Sequence, residues 1–239
     1  MTSFSLIDKD PSYRKVFKSV ESLIFSGKIE EGSALPTEAK LCEQMGVNRT
    51  TVREGLRMLE QADLVERGAA KRFYVKRPDA NDIATATSKR LAFGGVTFRE
   101  TWEALHAFYP AVAGLAATQV KHEYIAALRA VIDAHREETA SRKTVIHAVE
   151  FFNTLALSLD NRVMLAYMQS LNLLIHASLA TVINKTPNAQ TRIIKAQIKI
   201  IDAIENGDTA EATHWMSKHI NDLKRGYTLA NIDLDREIR

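Results

Sequence analysis

Arg49, Arg53 and Arg57, spaced four residues apart, are the side chains with the clearest chemistry in this chain. At about 3.6 residues per turn they share one stripe of a helix, while Val52, Leu56 and Leu59 turn toward a core. A guanidinium stays charged, and its fork of N–H donors matches a phosphate or the O6 and N7 edge of guanine. Thr50 and Thr51 add short polar groups in the first turn, and Asn48 is placed to cap the helix. The chemistry implied is recognition of duplex DNA by the opening turns of a helix. A plain solvated basic face is the simpler reading, and the flanking elements decide between the two.

Those elements can be read in order. Leu35-Pro36-Thr37 starts a helix over about residues 38 to 45, with Thr37 as its N-cap and Pro36 barring an earlier start. Gly46 ends it and permits a positive φ, so that two helices can cross; Leu41, Met45 and Val47 would bury the corner. Upstream, Tyr13 to Phe25 carries Val16, Phe17, Val20, Leu23 and Ile24 at amphipathic helical spacing. Downstream, Leu64-Val65-Glu66 and Arg72-Phe73-Tyr74-Val75-Lys76 read as two strands around Gly68-Ala69-Ala70-Lys71, a hairpin with a basic tip. Three helices and such a hairpin make a winged helix-turn-helix.

On these motifs, residues 13 to 78 resemble the winged helix of the GntR family of bacterial transcription regulators. The residues that carry the resemblance are Leu35-Pro36 with Glu38, the run Gly46-Val47-Asn48-Arg49-Thr50-Thr51-Val52-Arg53-Glu54, then Leu56, Leu59 and the wing ending in Val75. The resemblance implies that Arg49 and Arg53 read guanines in a short palindrome, with Thr50 and Thr51 on phosphate and base. Two positions depart from the pattern. Ala39 stands where many members carry arginine, and Ala70, Arg72 and Phe73 fill places usually held by a Gly-x-Gly-Thr-Phe-Val run. Lys71 and Arg72 are then expected to reach the minor groove instead. The expected DNA-binding set is Glu38, Asn48, Arg49, Thr50, Thr51, Arg53, Arg57, Lys71 and Arg72.

Charge agrees with this placement. Residues 1 to 78 hold 14 Lys and Arg against 11 Asp and Glu, a balance of +3, which is the whole formal charge of the 239-residue chain. So small a charge implies that dimerisation supplies much of the affinity. The single cysteine, Cys42, excludes an intramolecular disulfide framework and fits a reducing cytoplasm; it reads as a core thiol. The opening residues MTSFSLIDKD lack the form of a targeting signal. The most apolar stretch, Val163 to Ile183, is broken by Gln169, Asn172 and His176, so a buried helix explains it better than a bilayer span. No glycine-rich phosphate loop, G-x-S-x-G elbow or catalytically spaced metal-histidine pair appears, which argues against an enzyme.

The run Lys76-Arg77-Pro78-Asp79-Ala80-Asn81-Asp82 marks a hinge, giving a DNA-binding domain over 1–78 and an all-helical domain over 79–239. The second is expected as an antiparallel bundle of six or seven helices, over about 81–92, 97–119, 122–140, 142–157, 161–184, 188–206 and 208–230. The helix over 161–184 is apolar nearly all round, which marks it as central. The fold class is therefore mainly α: a winged helix-turn-helix followed by an antiparallel helical bundle.

This half resembles the FCD effector domain of the FadR subfamily at Leu115-Ala116-Ala117, Asp160-Asn161, Ala203-Ile204 with Gly207-Asp208, and His219-Ile220. Most such domains hold a divalent metal through an aspartate and three histidines. In register, those places fall on Ala148, Phe152, Gln197 and His219, and only His219 is a ligand type that matches. No metal and no other cofactor is therefore expected. A shifted set, His147, Glu150, His176 and His219, is the alternative. The effector-binding arginine of the family is also missing, with Leu105 or His106 near its place. Relatives that lost the metal bind long acyl-CoA, so an apolar or amphipathic effector is expected.

The polar residues expected on buried helix faces, Asn153, Gln169, Asn172, His176, Gln197 and His219, are the effector-pocket candidates, against the alternative of an internal hydrogen-bond network. The function expected is a cytoplasmic, ligand-responsive repressor that binds a short palindromic DNA operator as a homodimer and is released by a small-molecule effector. Two alternatives stand beside it: a metal-dependent carboxylate sensor, and a DNA binder whose helical half only dimerises. A ligand-induced rise in melting temperature separates the last of these from a switch.

Overall fold

The computed structural model describes residues 11–68, 72–119, 121–138 and 141–238, with only the backbone at 141 and 142. They form two compact units, Met1–Asp79 and Ala80–Arg239.

The first unit follows the amphipathic patterns closely. Helix α1 (Ser12–Phe25) buries Val16 and Val20, α2 (Glu38–Met45) buries Leu41, and α3 (Arg49–Gln61) buries Val52, Leu56 and Leu59. Thr37 Oγ1 accepts from the Lys40 N–H at 3.3 Å and Asn48 Oδ1 from the Thr51 N–H at 2.8 Å, so both N-caps form as their residue types dictate. Gly46 turns the chain with φ +63° between α2 and α3. Gly55 serves a different purpose. A methyl there would sit 2.6 Å from Val16 Cγ1, so only glycine lets α1 lie this close to α3. Replacing Asn48 with alanine is expected to cost about 1 kcal/mol, read as a lower midpoint for the first transition in guanidinium unfolding of the full chain.

Strands β1 (Val65–Arg67) and β2 (Phe73–Val75) pair antiparallel, with Val65 opposite Val75 and Arg67 opposite Phe73. The first strand is shifted one residue from expectation, taking Arg67 in place of Leu64, and the second is shorter, without Arg72 and Lys76. The segment before α2 adds to the sheet, since the Leu35 N–H donates to the Phe73 carbonyl at 2.8 Å and the Val75 N–H to the Ser33 carbonyl at 2.9 Å.

Among the described residues the second unit holds seven helices: α4 (Ala80–Phe93), α5 (Phe98–Gln119), α6 (His122–Glu137), α7 (Ser141–Ser158), α8 (Arg162–Lys185), α9 (Ala189–Glu205) and α10 (Thr209–Leu229). Family-motif residues turn out to be helix starts: Asn161 Oδ1 accepts from the N–H groups of Val163 and Met164, and Asp208 Oδ1 from that of Glu211. Helices α5 and α8 share the centre. Helix α5 packs against α10, α9, α8 and α7, and Leu105, Tyr109, Ala113 and Ala116 on it are fully buried. Helix α8 packs against α4, α7, α10, α5 and α9 and buries Met168, Leu174, Ile175 and Val182, yet it leaves Val163 (65%), Tyr167 (60%) and Leu173 (47%) exposed. Its apolar girth exceeds what the unit's own helices can cover.

After α10 the chain folds back along the start of α5. The N–H groups of Phe98 and Arg99 donate to the carbonyls of Arg236 (3.2 Å) and Leu234 (2.8 Å), and the Ile238 N–H donates to the Val96 carbonyl at 2.8 Å. Arg99 grips Asp235 with two parallel bonds, at 2.6 and 2.9 Å. This pairing holds the Asp235 carboxyl below the usual carboxylate range, chiefly through the hydrogen bond from Arg99.

Candidate nucleic-acid interface and helical-domain cavity

In the first unit, Arg49, Thr50, Arg53 and Arg57 are all exposed on α3, with Thr51 half-buried beside the cap. Arg53 Nε donates to Glu38 Oε2 at 2.9 Å, tying the third helix to the first turn of the second. Glu38 thus positions a guanidinium. Arg57 pairs within its own helix with Glu54, also at 2.9 Å. Among the described residues Arg49 has no carboxylate partner, so its charge is the most available of the three. Arg72 is exposed, and its Nη2 donates to the Leu35 carbonyl at 3.2 Å, a bond to the loop before α2 that leaves its other N–H groups outward. Lys71 lies outside the described residues. On the wing, Arg67 stands 5.0 Å over the Phe73 ring and pairs with Glu60, a contact not anticipated from sequence.

In the second unit, the four positions aligned with the family's metal ligands do converge. Gln197 Nε2 donates to the Ala148 carbonyl at 3.3 Å, and the His219 ring stacks on Phe152 with centroids 5.5 Å apart. A methyl and a phenyl ring bring no lone pairs, so this cluster does not fit a metal. The alternative set does not assemble: Glu150 and His176 are exposed, and among the described residues no three His, Cys, Asp or Glu are grouped to hold an ion.

A cavity of about 30 Å³ sits at this place between α7, α8, α9 and α10. Its walls include Phe152, Ile175, Leu179, Val182, Ile193 and Leu223, and its rim holds His219 with Arg192 and Asp222, an ion pair at 3.0 Å. Burial pushes the His219 pKa down to about 4, so the ring is neutral near pH 7.

Of the six pocket candidates, His219 alone lines this cavity. Asn172 and Asn153 form the internal network that was the alternative reading: Tyr109 Oη donates to Asn172 Oδ1 at 2.7 Å, and Asn172 Nδ2 donates to Asn153 Oδ1 at 2.8 Å. His176 is a correction, because it stands with Leu173 and Ala177 on the uncovered side of α8 and is exposed rather than on a buried face. Gln169 is half-buried with its Oε1 unpartnered, and the fully buried Gln197 also has an unpartnered Oε1. Sequence reasoning missed His135 on α6, which is fully buried with both ring nitrogens unpartnered and lies 6.2 Å from the His147 ring. It also missed Arg192 and Asp222, whose only signal is opposite charge on two helices that happen to face each other.

A winged helix with a guanidinium-bearing third helix, joined to a helical bundle with an internal cavity, defines the class of ligand-sensing DNA-binding regulators. Residues 12–75 match the bacterial regulatory proteins of the gntR family, and residues 100–222 match the FCD domain. The chain belongs to the GntR family of transcription regulators, in the branch with an FCD domain, and such a regulator is not an enzyme. It is 38% identical over 79 residues to the mannosyl-D-glycerate transport/metabolism system repressor MngR of Escherichia coli, a match spanning 33% of each chain. It is 27% identical over 212 residues to the uncharacterized HTH-type transcriptional regulator YcbG of Bacillus subtilis, covering 87% of this chain and 86% of that one. Among solved structures, Streptococcus agalactiae GntR shares the fold, with a TM-score of 0.66 at 22% identity over 89% of this chain and 99% of that one.

Proposed function

We propose that this protein is a cytoplasmic, ligand-responsive repressor that binds a short palindromic operator as a homodimer. An apolar or amphipathic small molecule in the α7–α10 cavity releases it. The observation that carries the effector reading is the substitution of the family's metal ligands by Ala148, Phe152 and Gln197 around an apolar cavity that keeps one histidine. A site with no place for a metal does not suit a small carboxylate chelated by one. Dimerisation is supported by exposed apolar side chains on α8, at Val163, Tyr167 and Leu173, and by Phe93 at the end of α4, which is 96% exposed. Operator contact is assigned to Arg49, Thr50, Thr51, Arg53 and Arg57, with Glu38 and Asn48 setting their placement. Repression follows if a dimer lying across a promoter blocks it, and MngR is a repressor by name.

The small volume, about 30 Å³, favours a second reading in which the helical unit serves only to dimerise. Native mass spectrometry of freshly purified protein, followed by operator binding with and without the material released by denaturation, tests both. A metal-free dimer carrying an organic adduct that weakens operator binding is the expected result. A dimer holding a divalent ion overturns the metal-free reading. A bare dimer whose melting temperature no metabolite raises supports the dimerisation module.

A further inference from the structure

Outside the cavity just described runs a groove of about 350 Å³ between α9 and α10, lined by Lys195, Ala196, Trp215 and Lys218. Arg192, His219 and Asp222 line both spaces, so groove and cavity share one wall. The two sides differ in the charged groups they add to it. Inside the wall the side chains are almost all aliphatic or aromatic. Outside, Arg192, Lys195 and Lys218 face the single carboxylate Asp222, leaving two ammonium groups uncompensated; among the described residues neither lysine has a carboxylate partner.

We propose that this groove is the head-group site for an amphiphilic anion whose tail enters the α7–α10 cavity past the Arg192–Asp222 pair. The effector is then a carboxylate or phosphate monoester bearing an alkyl or aryl tail. The inference rests on the effector reading above and specifies its chemistry.

Three features support it. The Lys218 ammonium lies 4.7 Å over the Trp215 ring, which holds one cation of the groove over an apolar floor. The gating pair is part-exposed, with side-chain exposures of 34% and 28%, so water screens it and little opposes its opening. Arg192 is held at its other end by the Pro187 carbonyl, 2.8 Å from Nη1. It can therefore exchange Asp222 for an incoming anion without losing its anchor. The cavity, large enough for about one water, must widen for the tail. A head group bound at the groove supplies the purchase for that step, which a neutral chain lacks.

The test is isothermal titration of the full-length protein with octanoate, octyl phosphate, octanol, acetate and inorganic phosphate, with operator affinity followed in parallel. Saturable binding of octanoate or octyl phosphate, at least tenfold tighter than octanol, acetate or phosphate, is expected. Which of the two binds tighter assigns the head group. The double variant Lys195→Ser with Lys218→Ser, both exposed positions whose loss should leave the circular dichroism spectrum unchanged, is expected to weaken that ligand at least tenfold and to leave octanol unchanged. Octanol binding as tightly as either anion overturns the proposal, as does a lysine variant that binds like wild type, or no binding by any probe. Lysine-dependent binding that leaves operator affinity untouched keeps the groove assignment and removes the effector reading. A different adduct from the purified protein that releases operator does the reverse.

Discussion

Replacing Arg49 and Arg53 together with alanine is expected to lower specific operator affinity by about 2 to 6 kcal/mol, since each guanidinium paired with a guanine contributes about 1 to 3 kcal/mol. Both side chains stand exposed on the opening turns of the third helix, which Asn48 caps and Gly46 orients. The two should differ in kind. Arg49 has no ion-pair partner among the described residues, so its alanine variant removes one contact and nothing else. Arg53 is held by Glu38, so Glu38→Ala should reproduce part of its loss by letting the guanidinium swing. Arg57, paired within its helix to Glu54, is the control: its loss should weaken specific and non-specific DNA alike. Fluorescence anisotropy with operator and scrambled duplexes at two salt concentrations reads the double variant and each single one. Unchanged specificity in the double variant would remove α3 from the role of reading helix.

The second large effect concerns acid. In the fold the His219 pKa falls to about 4, from an ordinary 6.5, because burial penalises the imidazolium; Asp222 opposes this weakly and His135 adds to it. Above pH 6.5 folded and unfolded chains both carry a neutral ring, and stability is intact. Between pH 6.5 and pH 4 the unfolded chain takes up a proton that the folded chain refuses, so stability falls; below pH 4 both are protonated and the slope ends. At pH 4.5 the loss from this one ring is roughly 2.5 kcal/mol. Carboxylates titrate in the same range, so the measurement is a difference. Urea unfolding of wild type and His219→Gln at pH 7 and pH 4.5 should show the variant losing roughly 2.5 kcal/mol less. Equal losses in the two proteins would mean that the ring is hydrated in solution.

How far the sequence could be read depended on whether the signal was local. Helix boundaries came within a few residues because apolar periodicity, caps such as Thr37 and Asn48, and glycine turns all act over one or two turns of chain. The recognition helix was legible for the same reason: cap, arginines and buried leucines lie within thirteen residues. All-round apolarity marked α8 as a core element but does not say which of its faces is covered. Helix α8 presents part of that surface outward, and α5 shares the middle with it through small residues such as Ala113 and Ala116.

The buried and paired polar groups of the helical unit were the least legible part. His135 sits in the last turn of α6 beside Arg136, where a histidine reads as a cation suited to the end of a helix dipole. Only the packing of α7 and α9 against α6 shows it to be buried and unpartnered. Arg192 and Asp222 are thirty residues apart and meet only because α9 and α10 are neighbours.

The returning C-terminal segment bears on the order in which the chain is made. The first turn of α5 is completed by carbonyls of Leu234 and Arg236, and Arg99 finds Asp235 across a separation of 136 residues. Domains emerging from a ribosome fold as units, N-terminal first, at about 5 to 20 residues per second. The winged helix, finished by Asp79, is complete while Ala80–Arg239 is still to be made. The helical unit cannot close until residues 234–238 have been made. During translation a DNA-reading unit therefore stands folded beside an open bundle, and a chain truncated before Leu234 keeps it in that state.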